Sequence, residues 1–149
     1  MIEYRKASLQ EQDIIDQLIQ LSIDWENENV TGGYRKNTVE DIKEPIFVAT
    51  ECGKVVGYTF GELYKRKTDL GEMKEGDEAF DVLEIYVVPA YRSQGIGKTL
   101  LKLIEEEASK YVEYLTLATS TKDYKKILKF YIEDCNLDWH SALFTKKLK

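Results

Sequence analysis

The chain has 149 residues, 32% of them charged and 43% hydrophobic, and a formal charge of -6 at pH 7. A chain of that length suits one domain, which buries about 68–70% of its unfolded surface and needs no staples for its core. The acid excess argues against nucleic acid as the main partner. No apolar run approaches the ~18 residues of a membrane span, and the opening MIEYRKASLQEQ has neither the basic nor the apolar region of a leader. The expectation is a soluble protein of a reducing cytoplasm, with Cys52 and Cys135 as packing residues.

Ile2 to Arg5 reads as a first strand. Ser8-Leu9-Gln10-Glu11 has the form of a capping box, so a helix is expected to start there. Ile14, Leu18, Leu21 and Trp25 recur at helical spacing as far as the polar run Glu26-Asn27-Glu28-Asn29. Thr31-Gly32-Gly33 breaks the pattern, and Asn37 or Thr38 is placed to cap a second short helix through Lys43, which ends before Pro45. Ile46 to Thr50 and Lys54 to Tyr64 read as strands of a hairpin turning at Glu51-Cys52-Gly53. Gly57 and Gly61 interrupt the second of these and predict a bulge or a close backbone approach. From Arg66 to Ala79 the chain is a solvated loop carrying Asp69, Glu72, Glu75, Asp77 and Glu78.

Phe80 to Tyr111 is the most informative stretch. A β-branched and aromatic strand leads through a turn at Pro89-Ala90 and a glycine-containing loop, Arg92 to Lys98, into a helix with Ile96, Leu100, Leu103, Ile104 and Ala108 on one side. Gly95 and Gly97 remove the Cβ atoms that would hold a ligand off the backbone, so successive N–H groups can point at one anion, and a phosphate-bearing cofactor is the natural guest. A P-loop would need its first glycine where Arg92 stands, and a dinucleotide fingerprint would need its third glycine at Leu100. The remaining pattern is R-x-x-G-x-G, spelled Arg92-Ser93-Gln94-Gly95-Ile96-Gly97. Beyond it, Tyr114 to Ala118 reads as a strand and Asp123 to Asp134 as a helix with Ile127, Leu128 and Tyr131 on its apolar side. Trp139 to Leu148 reads as further strand, with His140, the single histidine, outside any site.

This loop, set between a strand and a helix, resembles the pyrophosphate-binding motif of the GNAT superfamily of acetyl-CoA-dependent N-acetyltransferases. The likeness is specific over residues 80–111 and extends, as an order of elements, along nearly the whole chain. It implies an α/β (α+β) fold in a single domain, residues 1–149. Six to seven strands of a mixed, mostly antiparallel sheet would be flanked by about four helices, with a splayed central pair formed by the strands ending at Val88 and Ala118. It also implies that acetyl-CoA lies with its pantetheine arm against the backbone of Tyr86 and Val88. Its pyrophosphate would meet Arg92 and the N–H groups of Gln94, Gly95, Ile96, Gly97 and Lys98.

Phe130 to Leu137 is similar to the family's F-Y-x-x-x-G-F segment, and Tyr131 falls on the tyrosine that protonates the leaving thiolate. Asn136-Leu137 replaces Gly-Phe, although asparagine tolerates the left-handed turn a helix end requires. Thr119-Ser120-Thr121 replaces an asparagine that follows the preceding strand in the family. For a general base, Glu84 stands in an otherwise apolar strand where burial would raise its pKa, with Asp81 as its rival and a water-mediated base or a purely structural carboxylate as the alternatives. Strict alternation puts Glu84 and Asp81 on opposite faces of the strand unless a bulge intervenes. No metal is implied, since no His/Cys/carboxylate cluster has ligand spacing.

The expected activity is direct transfer of an acetyl group to a primary amine, a cationic small molecule or a protein amine, drawn by Glu26, Glu28 and the acidic loop. A coenzyme-A-binding regulatory module without turnover is the competing expectation. A homodimer is compatible with the sequence, which carries no signal for or against one.

Overall fold

The computed structural model describes residues 1–149. Five strands, β1 (Glu3–Ala7), β2 (Ile46–Glu51), β3 (Lys54–Lys65), β4 (Glu78–Val87) and β5 (Leu115–Leu117), lie side by side in that order. Neighbours are antiparallel except β4 and β5, which are parallel and therefore need a crossover. Helix α2 (Ile96–Ala108) supplies it. Helix α1 (Gln12–Glu28) follows β1, and α3 (Tyr124–Leu128) runs on without a break into a π-helical turn, Lys129–Asp134. No helix is long and apolar enough to cross a membrane.

The sheet separates two cores. On one face Ile14, Ile15, Leu18 and Leu21 of α1 pack on Ile46, Val48, Tyr58, Phe60 and Tyr86. On the other, Ile96, Leu100, Leu101 and Ile104 of α2 pack on Phe47, Val56, Phe80 and Val82, with Tyr131 from the last helix. Both helices carry the apolar stripe that their sequence spacing predicts.

Three expectations are corrected. The first helix begins at Gln12, because Ser8 to Glu11 closes as a turn instead. Glu11 N–H donates to Ser8 O (3.0 Å), the Glu11 carboxylate accepts from Ser8 N–H (2.8 Å), and the Ser8 hydroxyl accepts from Gln10 N–H. The helix expected from Asn37 or Thr38 to Lys43 is a single 3₁₀ turn, Val39–Asp41, closed by Thr38 and Asp41. Three helices flank the sheet, not four. Trp139 to Leu148 forms no strand, leaving Leu143, Phe144 and Leu148 between 84% and 90% exposed and the sheet at five strands, not six or seven. Leu143 and Phe144 are adjacent and three of the last four residues are lysines, so neither face of a strand there would be apolar.

Two irregularities position the site. Phe60 pairs with Glu84 but Gly61 pairs with Val82, so Leu83 has no partner and β4 bulges. Glycine at 61 permits this: a Cβ there would sit 2.3 Å from Asp81 O and 2.6 Å from the Phe80 ring. The second irregularity is that β4 and β5 pair only from Phe80 to Val82 against Leu115 to Leu117. Beyond Val82, β4 runs on to Val87 with no neighbour on that side, which opens the expected gap in the sheet.

Candidate active site

The loop after β4 presents an uncommitted row of donors. No backbone N–H of Ser93, Gln94 or Gly95 donates within the chain. Ile96, Gly97 and Lys98 occupy the first turn of α2, where a helix has no acceptor for its own N–H groups. Gly95 sits at φ 81°, in the left-handed region open to glycine. Gly97 answers a different need, since a Cβ there would meet the Phe130 ring at 3.3 Å. The six uncommitted donors are consecutive at a helix start, where the macrodipole favours an anion, so the residues present fit a pyrophosphate.

Beside the loop, the backbone that borders the gap is not the pair expected. Val88 N–H donates to Val56 O (2.9 Å), and Val88 O accepts from Tyr91 N–H (2.8 Å). Val88 is therefore fully engaged, and alternation turns Tyr86 toward β3 as well. The groups facing the gap belong to Ile85 and Val87, and Val87 O already accepts from Arg92 Nε (2.8 Å). Counting from the motif alone placed this pair one residue too late along the strand.

The side chains of Tyr86 and Arg92 lock β4 to α1. Arg92 pairs with Glu28 (2.9 Å) and lies over the Tyr86 ring at 5.4 Å, and the Tyr86 hydroxyl donates to the same carboxylate. Trp25 stacks on Tyr34 and Tyr86, with centroids 4.1 and 5.1 Å away. Arg92 thus serves as a strut, and the donors the loop leaves uncommitted belong to the main chain.

Glu84 lies past the point where β4 and β5 part. Its Oε1 accepts from the Tyr58 hydroxyl (2.8 Å), Asn37 Nδ2 (2.8 Å) and the Tyr34 hydroxyl (3.2 Å). Its Oε2 has no partner within the chain, and no buried polar side-chain atom is left unpaired, so Oε2 reaches solvent. Burial raises the Glu84 pKa above the ordinary glutamate value against the pull of these three donors.

Asp81 shares this face because of the bulge, but accepts from Thr116 (2.9 Å), which in turn meets the Tyr64 hydroxyl (3.0 Å). Burial raises its pKa too. Tyr131 stands on the π-helical turn and is 8% exposed. Its hydroxyl has no partner and, by the same reasoning, opens to solvent, while burial holds its pKa above the usual tyrosine value. Asn136 ends this helix at φ 58°, with Leu137 N–H donating to Tyr131 O. His140 is exposed and meets Ser141.

A strap joins the two lips of the gap. Gly32 N–H donates to Ser120 O (2.9 Å), Lys122 N–H to Val30 O (2.7 Å), and the Ser120 hydroxyl to Gly32 O (3.0 Å). Thr119-Ser120-Thr121, where the family's asparagine is missing, is thus bound to the chain leaving α1. Of the residues around Glu84, Tyr58 drew no notice in the sequence and Asn37 reads there only as a helix cap. The hairpin places Tyr58 opposite Tyr86 and gave a signal, whereas Asn37 lies 47 positions away and gave none.

The profile of the acetyltransferase (GNAT) domain family matches residues 43–133. The chain belongs to the GNAT acetyltransferase family. This GNAT chain is similar in fold to an aminoglycoside acetyltransferase from an uncultured soil metagenomic sample, solved with trehalose (18% identity, TM-score 0.68, 99% of this chain and 97% of that one). A putative acetyl transferase from Pyrococcus furiosus is similar at 16% identity and TM-score 0.72 over 99% of this chain and 100% of that one. Glucosamine-6-phosphate N-acetyltransferase from Arabidopsis thaliana is similar at 18% identity and TM-score 0.61 over 100% and 99%. No curated protein sequence matches this GNAT chain.

Proposed function

We propose that this acetyltransferase moves the acetyl group of acetyl-CoA to a primary amine that is cationic in its resting form. One observation carries the reading: a half-buried carboxylate in the parted stretch of β4, with one oxygen saturated and the other open. Bound in the gap, acetyl-CoA would supply an activated thioester acyl group. Gln94, Gly95, Ile96, Gly97 and Lys98 hold its pyrophosphate through N–H groups, and Ile85 and Val87 border its pantetheine arm.

Glu84 Oε2 takes the proton that the attacking amine must lose, and its raised pKa makes it the stronger base. Tyr131 Oη, kept protonated around neutral pH by its raised pKa, gives a proton to the thiolate as the C–S bond breaks and regains one from solvent. No group of three or more His, Cys, Asp or Glu is placed to hold a metal ion.

The acceptor's charge is read from the acid excess of the chain, -6 at pH 7, and from the acids that end α1. Glu28 is tied to Arg92, Glu26 accepts from Lys36 N–H, and Asp69 and Asp77 accept from backbone of their own loop. Arg92 offsets Glu28 and Lys74 offsets Asp69, so the chain's net charge of -6 is what draws a cation, a field screened over a Debye length of about 8–10 Å. The same field keeps the amine protonated, so the rate should climb on the alkaline side of neutrality. A panel of amines assayed for thiol release at low and high ionic strength tests the reading. A cationic best acceptor whose KM worsens with salt is expected. A neutral or anionic best acceptor overturns the charge assignment, and acetyl-CoA binding without release across the panel favours a regulatory module.

A further inference from the structure

We propose that Asn37 and Tyr58 are positioning residues for Glu84, saturating Oε1 so that Oε2 is the oxygen offered to the acceptor. The inference rests on the reading of Glu84 as the base. A carboxylate oxygen has two in-plane lone pairs, and the two 2.8 Å bonds from Tyr58 and Asn37 fill them, leaving Tyr34 the longer contact. The carboxylate cannot exchange its oxygens without breaking all three. It therefore keeps one orientation through turnover, which a base that must meet a small amine requires.

Both donors are held from behind. Tyr58 is fully buried, with its ring centroid 5.9 Å from Phe60 and 6.0 Å from Tyr86. Asn37 donates its backbone N–H to Ser22 Oγ (2.9 Å), and the Ser22 hydroxyl donates to Ile19 O (2.7 Å). The chain of bonds thus runs from the core of α1 to the carboxylate. It accounts for two features that neither the sheet nor the phosphate loop requires: a fully buried serine in the apolar stripe of α1, and a buried asparagine in a connection.

The groups acting on Glu84 are Tyr58 from β3 and Tyr34, Asn37 and Asp41 from the connection after α1, with Asp81 and Tyr86 on the same face of β4. Among them the hydrogen-bond donors favour the charged carboxylate, while burial and Asp41 oppose it. Removing a donor therefore leaves the proton in place to a higher pH. In Asn37→Leu and Tyr58→Phe the acid limb of the kcat/KM profile should move up by about one to two pH units, the worth of a charge-assisted hydrogen bond expressed as a pKa. Above that limb kcat should stay reduced, with the KM for acetyl-CoA unchanged. Ser22→Ala should move the limb the same way by less.

Carbon-13 NMR titration of the Glu84 carboxyl supplies a readout independent of activity, and thermal melts establish that the variants fold. Tyr58→Phe keeps the ring in place, and Ser22→Ala stands in should either direct variant unfold. A shift in both the titration and the rate profile supports the proposal. A shift in the titration alone supports the positioning and overturns Glu84 as base. Folded variants in which neither moves overturn the positioning.

Discussion

Asp81 and Glu84, three residues apart on β4, point to the same face of the sheet. Leu83 stands out of register between them, so the alternation that would have set them on opposite faces is reversed. Where each sits relative to β5 then separates them. Asp81 pairs beside Thr116 where the strands are closed, whereas Glu84 lies beyond the last pair. Glu84→Gln should lower kcat by about 10²–10⁴-fold, and Asp81→Asn by less than about tenfold. Steady-state rates with the best acceptor check this, and the reverse order of effects would make Asp81 the base.

Burial also gives Glu84 a signature in stability. Its folded pKa is raised, so the folded protein binds this proton more tightly than the unfolded chain does. The cost is absent below the unfolded value, about 4.3, grows as pH rises through the window up to the folded value, and is complete above it. Glu84→Gln should therefore match or exceed the wild type in melting temperature at neutral pH, and its advantage should shrink as pH falls through that window. Melting curves across pH test the sign.

Tyr131→Phe retains the ring contact with Phe130, whose centroid is 5.2 Å away, and deletes a hydroxyl that has no partner within the chain. Stability should hardly change, because no hydrogen bond is lost, while the rate should fall by about 10²–10⁴-fold. Full activity in this variant would make Tyr131 a packing residue.

Gly95→Val and Gly97→Val should both abolish measurable acetyl-CoA binding in calorimetry, for different reasons. At 95 the backbone conformation is strained for any side chain, although no atom lies within 4 Å of the new Cβ. At 97 the new methyls press on Phe130, next to Tyr131 in the last helix. The second variant should also lose stability, by about 1–3 kcal/mol of overpacking. Unchanged affinity in both folded variants would show that acetyl-CoA does not bind at this loop.

The features readable from the sequence were those whose cause is local. The Cys52-Gly53 turn, the left-handed Asn136 and the glycine at 61 that admits a bulge each follow from one or two residues whose backbone preferences are strong. Features that depend on a distant partner stayed hidden. The bulge belongs to Leu83 only because Phe60 and Gly61 fix the register from the neighbouring strand, and this same shift decided both the face of Asp81 and the identity of Ile85 and Val87. Asn37 reads as a helix cap until Glu84 is brought to it, and its capture by that carboxylate accompanies the loss of the second helix.

The strap over the gap has a kinetic consequence. Two main-chain bonds, from Gly32 and Lys122, and side-chain bonds from Ser120, Thr121 and Lys122 hold it, all on a surface where water competes for the partners. So short a ladder opens far more often than the sheet beneath it, and the amides of Gly32 and Lys122 should exchange with deuterium well ahead of that of Val88. For an acceptor too wide to pass under the closed rim, the opening frequency is a ceiling on turnover that no change at Glu84 can lift.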